Sequence, residues 1–320
     1  MDFRDPIRAE LTQFNKEFPK AFSSKVALLD LILRYVVRQK GKQLRPSLVF
    51  LVAKAYGSVA ERSFRGATLV ELMHTATLVH DDVVDEAAVR RSMFSINALW
   101  KNKIAVLVGD YMLSRVLLLA VESGDHDLLK IVSTAVRAMS EGELLQIEKA
   151  RRLDIDESVY YDIIQKKTAS LMASCCAVGA ASVGVDEAEV RRAESFGNAL
   201  GMGFQIQDDL LDYQAYGQSG KPAGIDVREQ KMTLPLIYAL SQADSSKKRE
   251  LMRIVRRKSN DPESIRILMT DVASLGGLDY ARERRDHYLG EARRILTEFP
   301  EGEARQALEV LVDFVGHRAK

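Results

Sequence analysis

Two short acidic clusters share one spacing: Asp81-Asp82-Val83-Val84-Asp85 and Asp208-Asp209-Leu210-Leu211-Asp212. Each lies within an apolar run rather than a charged stretch. On a helix turning ~100° per residue, the second and fifth positions sit ~100° and ~40° from the first. All three carboxylates of a cluster therefore share one side of the helix. Like charges this close raise one another's pKa and destabilise the empty helix, so a positive partner must offset them. A hard divalent cation does so, and Mg²⁺ takes a few carboxylate oxygens while keeping water and phosphate oxygens. Neither cluster has the alternating ligands and fixed glycine of an EF-hand loop. One such cluster would read as a solvated acidic face. Two at identical spacing point to metal-dependent chemistry.

Other groups fall on the same helix faces. His74, seven residues before Asp81, returns to within ~20° of it, and Gln205 lies three residues before Asp208. A zinc site is not implied, because His80 points ~120° from His74 and the remaining histidines, His126, His287 and His317, form no ligand spacing. Cations occur as Lys42 with Arg45, Arg90 with Arg91, Lys166 with Lys167, and Lys221 with Lys231. Any one pair is an ordinary surface feature. Together with two acidic clusters they make a mixed lining for phosphate, Arg as a rigid fork and Lys as a mobile point charge. Val79, Val83, Val84, Phe204, Ile206, Leu210 and Leu211 flank the clusters and suit an apolar substrate tail as well as a core. The residues alone support metal-dependent chemistry on a diphosphate with an apolar tail. They do not name the bond made or broken.

The elements that must position these groups read as helices. None of the seven prolines falls between Ser47 and Lys221, which favours helix over turn-rich β structure. Helical periodicity runs through Leu28 to Val37, Ser63 to Asp85, Val106 to Glu122, Leu128 to Lys149 and Val159 to Gly179. Asp156 and Ser158 are both candidate N-caps. Gly217 to Gly224 reads as a loop, Leu240 to Glu250 as a connector or polar helix start, and short amphipathic helices follow from Pro262. The expected fold class is all-α, with one domain spanning residues 1–320. No glycine-rich turn opens a βαβ unit and no Walker loop is present, so a dinucleotide site is unsupported. With 46 Lys plus Arg against 45 Asp plus Glu, the chain carries no global signature of nucleic-acid binding. Cys175 and Cys176 are adjacent and are the only cysteines. They cannot build a disulfide scaffold or a four-thiolate zinc site, so a reducing, cytoplasmic setting is expected. The start, Met1 to Pro6, lacks the apolar run of a signal peptide. The longest run without charge, Thr168 to Val185, is expected to be a buried helix rather than a membrane span.

Over residues 25 to 318 the chain closely resembles the trans-isoprenyl diphosphate synthase family. The resemblance rests on an ordered series: Gly41-Lys42-x-x-Arg45-Pro46; Glu71 through Asp85; Arg90-Arg91; Gly109-Asp110-Tyr111; Glu141-Gly142-Glu143-Leu144-Leu145-Gln146; Lys167-Thr168-Ala169; Phe204 through Asp212; Gly220-Lys221-Pro222; and Lys231-Met232-Thr233-Leu234-Pro235-Leu236. It implies a helical bundle around a deep central cavity, usually a homodimer, with the aspartate motifs facing each other at the cavity mouth. By that resemblance Asp81, Asp82, Asp85, Asp208 and Asp212 would hold three Mg²⁺ ions on an allylic diphosphate. Asp209 is expected to act behind them. Arg90, Lys167, Lys221 and Lys231 would address the allylic diphosphate, such as farnesyl or geranylgeranyl diphosphate. Lys42, Arg45, His74 and Arg91 would clamp isopentenyl diphosphate. Thr168 and Gln205 would face the developing allylic cation.

The implied reaction is ionisation, condensation and elimination, adding five carbons per cycle in trans geometry. Short-chain members of the family usually carry a bulky aromatic four or five residues before the first aspartate. Here Thr77 and Ala76 stand there, which favours a medium or long product of about C30 to C50 for a quinone side chain. Leu113 or Leu117 is expected to set the tunnel floor. Gln43 and Ser92 depart from the family's common basic residue and glycine. The alternatives are a short-chain farnesyl or geranylgeranyl diphosphate synthase and a nonenzymatic partner subunit of another synthase. No stable membrane insertion is expected, only transient contact through the lipid product.

Overall fold

In the computed structural model, residues 2–38, 41, 43–85, 87–90, 93–152, 155–214 and 224–318 are described. The architecture is all-α. The helices are α1 (Arg8–Glu17), α2 (Ala27–Arg38), α3 (Leu44–Tyr56), α4 (Glu61–Val84), α5 (Ile96–Glu122), α6 (His126–Arg152), α7 (Glu157–Ile164), α8 (Ser170–Ser182), α9 (Glu187–Gln214), α10 (Ile225–Arg228), α11 (Leu234–Gln242), α12 (Ser245–Arg257), α13 (Pro262–Ser274), α14 (Gly277–Leu296) and α15 (Glu303–His317). A two-residue hairpin, β1 (Val89–Arg90) with β2 (Met93–Phe94), was not expected from the sequence. The chain divides into two compact units.

The first unit comprises Met1–Val136, Met172–Glu194 and Glu298–Val310. Its centre is α3, whose Leu48 to Ala53 are all fully buried. A helix apolar on every side belongs inside a core, and α4 packs on α3 and along α5. Arg62 and Arg65 of α4 both grip the buried Asp125 just before α6, with Nε to Oδ distances of 3.0 and 2.6 Å. Phe14 and Phe18 stack at 5.0 Å, and Phe14 meets Phe50 of α3 edge-on at 5.9 Å. The uncharged run is largely the buried α8, as expected. The helix long and apolar enough to cross a membrane, by length and composition, is instead α5.

The second unit comprises Arg137–Leu171, Ser195–Thr297 and Leu311–Lys320. Its core joins Tyr160 and Ile164 of α7 to Ile206 and Leu210 of α9 and to Leu236 and Ala239 of α11. The sequence expectation of one helix from Val159 to Gly179 is corrected here. A π-helical turn, Gln165–Ala169, separates α7 from α8. It is held close to its neighbours by two glycines. A Cβ on Gly142 would lie 2.8 Å from Lys166 Cβ, and one on Gly201 would lie 2.6 Å from Ala169 Cα. Only residues without a side chain let α6 and α9 approach so near. Asp156, not Ser158, caps α7: its carboxylate accepts from the Val159 N–H, while the Ser158 hydroxyl donates to it.

Candidate active site

The first aspartate motif forms the last turn of α4. Asp81 is half-buried, Asp82 is buried at 4% exposure, and Asp85, the C-cap, is exposed. The Asp85 N–H donates to the Asp81 carbonyl at 2.8 Å, and Asn97 Nδ2 donates to the Asp82 carbonyl at 3.0 Å. No basic residue occupies this last turn. The carboxyl end of a helix carries partial negative charge, so each carboxylate there costs about 0.3–1 kcal/mol without a cation.

Around this motif, His74 is buried at 6% exposure, Ala76 is fully buried and Thr77 half-buried, its hydroxyl donating to the His74 carbonyl at 2.8 Å. Arg45 is half-buried near the start of α3. Gln43, where the family commonly has a basic residue, exchanges amide hydrogen bonds with Asn15 of α1. That gives the departure a structural purpose: it ties the start of α3 to α1. A cavity of about 290 Å³ beneath it is lined by Phe14, Phe18, Gln43, Glu71, Thr75 and Asp82, among others. The hairpin follows the motif, with Arg90 paired to Met93. The Arg90 side chain and residues Lys42, Arg91, Ser92 and Lys221 lie outside the described residues, as does most of the loop expected at Gly217 to Gly224.

The second motif also lies at a carboxyl end, that of α9, again without a basic residue in its last turn. Its three aspartates differ sharply. Asp208 has about half its side chain exposed and pairs with Arg318. The Arg318 guanidinium also sits 4.3 Å over the Phe204 ring. Asp209 is 5% exposed. It accepts from the Tyr160 hydroxyl at 2.8 Å, Gln205 Nε2 at 3.1 Å and the Leu234 N–H at 3.3 Å. Burial pushes its carboxyl up to about 7 despite these donors. Asp212 is 4% exposed and accepts from the Asp226 N–H at 3.2 Å.

Thr168, on the π-helical turn, donates to Gln205 Oε1 at 2.8 Å, so these two expected partners do meet. Lys167 pairs with Glu143 and donates to Gln146 Oε1 at 3.2 Å. Lys231 reaches Glu229 at 2.5 Å and Asp226 at 3.6 Å. Burial pushes the Asp226 carboxyl up to about 6, against the pull of Lys231.

Three participants were missed by sequence reading. Tyr160 and Arg318 reach their aspartates across 49 and 110 residues of chain, a distance no local pattern encodes. Asp226 stood two residues past Gly224 and had only its acidity to mark it.

The donor set fits magnesium. It is made of hard carboxylate oxygens, some exposed and some held by hydrogen bonds. Among the described residues no three acidic, histidine or cysteine side chains form a ready-made cage. Each ion would therefore take only a few protein oxygens and fill its octahedron with water and diphosphate oxygens, as Mg²⁺ prefers.

A family model described as "Polyprenyl synthetase" matches residues 26–272. The chain is 36% identical over 312 residues to the all-trans-nonaprenyl-diphosphate synthase (geranyl-diphosphate specific) of Rhodobacter capsulatus, covering 96% of this chain and 94% of that one. A polyprenyl synthase from Caulobacter crescentus, complexed with calcium and isoprenyl diphosphate, superposes with a TM-score of 0.90 at 34% identity, covering 99% of this chain and 97% of that one. A geranylgeranyl pyrophosphate synthase from Bacteroides thetaiotaomicron superposes with a TM-score of 0.83 at 36% identity, covering 99% and 98%.

Proposed function

Since the chain belongs to the polyprenyl synthetase family and is a trans-prenyltransferase condensing isopentenyl diphosphate onto an allylic diphosphate, we propose that its product is a medium or long polyprenyl diphosphate, about C30 to C50, serving quinone side chains. The observation that carries the site assignment is the repeated one: an aspartate motif at the carboxyl end of a long helix, with no basic residue in its last turn. Such a motif is costly until a cation binds.

In this reading Asp81, Asp82, Asp85, Asp208 and Asp212 hold Mg²⁺ ions, three with substrate bound, and both motifs serve one allylic diphosphate. Bound Mg²⁺ supplies Lewis-acid neutralisation of the departing diphosphate. Lys167, paired with Glu143, and Lys231, paired with Asp226 and Glu229, add positive charge to it, as do Arg90 and Lys221. Lys42, Arg45, His74 and Arg91 seat isopentenyl diphosphate. The allylic C–O bond breaks and its electron pair leaves with the diphosphate. The double bond of isopentenyl diphosphate then forms the new C–C bond, and the proton lost from the adduct goes to the released diphosphate. Thr168 and Gln205 border the cation, and apolar walls keep water from quenching it.

Ala76 and Thr77 set chain length by leaving room for a growing tail. Relatives of equal identity carry names of very different product length, so these small residues support the long product more than overall similarity does. Incubation with Mg²⁺, farnesyl diphosphate and labelled isopentenyl diphosphate tests the reading. Products beyond C20 are expected. A product stopping at C15 or C20 would favour the short-chain alternative, and no extension at all would reject the activity.

The proposed assembly is a homodimer through α5. Val106, Leu107, Leu117, Leu118 and Val121 are all at least 40% exposed and fall in one stripe ~120° wide. So broad an apolar patch calls for a cover, and a second copy offers the same stripe. Sedimentation should give twice the chain mass, and Leu118→Glu should halve it. Leu117, a candidate for the tunnel floor, is 52% exposed and belongs to this stripe, which leaves Leu113 as the better candidate within one chain. We place the protein in the cytoplasm, with passing membrane contact for product release. Fractionation of cells tests that placement.

A further inference from the structure

Behind Thr168 runs a hydrogen-bonded chain inside the second unit. The Thr168 hydroxyl donates to Gln205 Oε1 at 2.8 Å, Gln205 Nε2 donates to Asp209 Oδ1 at 3.1 Å, and the Tyr160 hydroxyl donates to Asp209 Oδ2 at 2.8 Å. The Leu234 N–H shares that second oxygen at 3.3 Å. Tyr160 is 4% exposed and Asp209 5%, and each is engaged by neighbouring groups of the chain. The prenyl-transfer reading gives Tyr160 no part.

The directions of these bonds carry information. All three groups that reach Asp209 are donors directed at its oxygens, so it serves here as an acceptor. Asp209 Oδ1 therefore draws the amide NH₂ of Gln205 and turns its carbonyl oxygen toward Thr168. A threonine hydroxyl has one proton and two acceptor lone pairs. Its proton is committed to Gln205, so the oxygen lone pairs are what Thr168 can present elsewhere. An oxygen lone pair stabilises a neighbouring cation, while an O–H proton repels it.

We infer that Tyr160 is a positioning residue for prenyl transfer: acting through Asp209 and Gln205, it fixes the Thr168 hydroxyl so that oxygen rather than hydrogen faces the developing allylic cation. This rests on the proposed placement of Thr168 and Gln205 beside that cation. With two donors on Oδ2, the Asp209 carboxylate keeps one rotation. Without the Tyr160 hydroxyl it is held on that side by one backbone N–H and can turn away from Gln205. The effect falls on the barrier, not on substrate binding, because the cation exists only along the reaction path.

Steady-state kinetics of the full chain with farnesyl diphosphate, isopentenyl diphosphate and Mg²⁺ test this. Tyr160→Phe should lower kcat about tenfold, the size of one lost hydrogen bond to a charged group, with both KM values within about twofold and the melting temperature nearly unchanged. Thr168→Val and Gln205→Ala should each lower kcat at least as much. In the Gln205→Ala background, Tyr160→Phe should cause no further loss, because the chain is already cut. Equal loss in both backgrounds, or a fall in kcat that tracks the melting temperature, overturns the inference. Full kcat in Thr168→Val and Gln205→Ala overturns the placement of the cation itself. Loss in those two with full kcat in Tyr160→Phe overturns the inference and leaves the placement standing. If Tyr160→Phe does not fold, Asp209→Asn reads the same link. Its amide can donate to Gln205, so the same kcat loss at unchanged KM is expected, and an unchanged kcat overturns the inference.

Discussion

The two aspartate motifs have the same sequence pattern but expose different members, the last aspartate (Asp85) in the first and the leading one (Asp208) in the second. In the first, the motif ends its helix, Asp82 is buried, Asp85 is exposed as the C-cap, and Asn97 donates to the Asp82 carbonyl. In the second, the carboxylates themselves are gripped: Asp208 by Arg318, Asp209 by Tyr160, Gln205 and the Leu234 N–H, and Asp212 by the Asp226 N–H. A repeated motif is therefore not a repeated environment. The second is built around oriented oxygens.

The comparison is broken most severely by removing a metal-facing carboxylate from either side. Asp81→Ala and Asp208→Ala should each cut turnover by about 10³-fold or more, since leaving-group neutralisation is lost. Labelled isopentenyl diphosphate incorporation measures this. If only one of the two matters, the motifs do not share a task. Ala76→Phe should change product length rather than rate, shifting products toward C15 or C20. Ala76 is fully buried, so overpacking of ~1–3 kcal/mol is also expected in the melting curve. An unaltered chain-length distribution would remove Ala76 from the tunnel.

A smaller effect is expected at Arg318. It holds Asp208, and in the proposed reading a metal ion competes with it for that carboxylate. Arg318→Ala should lower the Mg²⁺ concentration for half-maximal activity about threefold, by ~0.7 kcal/mol of lost competition. A magnesium titration checks the direction. No change, or a higher requirement, would mean that Arg318 does not compete with metal.

The least effect on turnover is expected at Asp125, the buried carboxylate that already has its cations. Burial alone would raise its pKa, but hydrogen bonds from Arg65 and Arg62 outweigh this and hold it below the usual carboxylate range. A depressed folded pKa gives stability that is present above the unfolded value of ~3.9 and is lost as pH falls through the folded value. Asp125→Asn should therefore lower the melting temperature at pH 7, by the equivalent of ~1–3 kcal/mol, and flatten its fall below about pH 4. Activity at 25 °C should remain. The contrast with Asp81 separates a carboxylate kept for structure from one kept for a ligand.

Much of this was legible in the sequence. The helical period through Ser63 to Asp85 announced α4, and the helical spacing of the second motif placed it on a helix, found as α9. The ordered series of motifs, acidic and basic together, carried the family resemblance. What was not legible depended on contacts between distant segments. The stretch from Val159 to Gly179 looks helical throughout, yet its π-helical turn is shaped by Gly142 and Gly201, which let two other helices press against it. The partners of Asp208 and Asp209 come from far along the chain. Asp209 was expected to act behind the metal ligands; the structure shows it buried with three donors, none of which the sequence indicated. The hairpin after α4 is only two residues per strand, too short for an alternating pattern to announce it.

The proposal that both motifs serve one diphosphate is tested most directly by Mn²⁺ binding, counted by electron paramagnetic resonance with and without a non-ionising allylic diphosphate analogue. Tight uptake should require the analogue, and Asp81→Asn or Asp208→Asn alone should each reduce the number of ions bound. Uptake that ignores the analogue, with each motif keeping its own metal when the other is changed, would contradict the account.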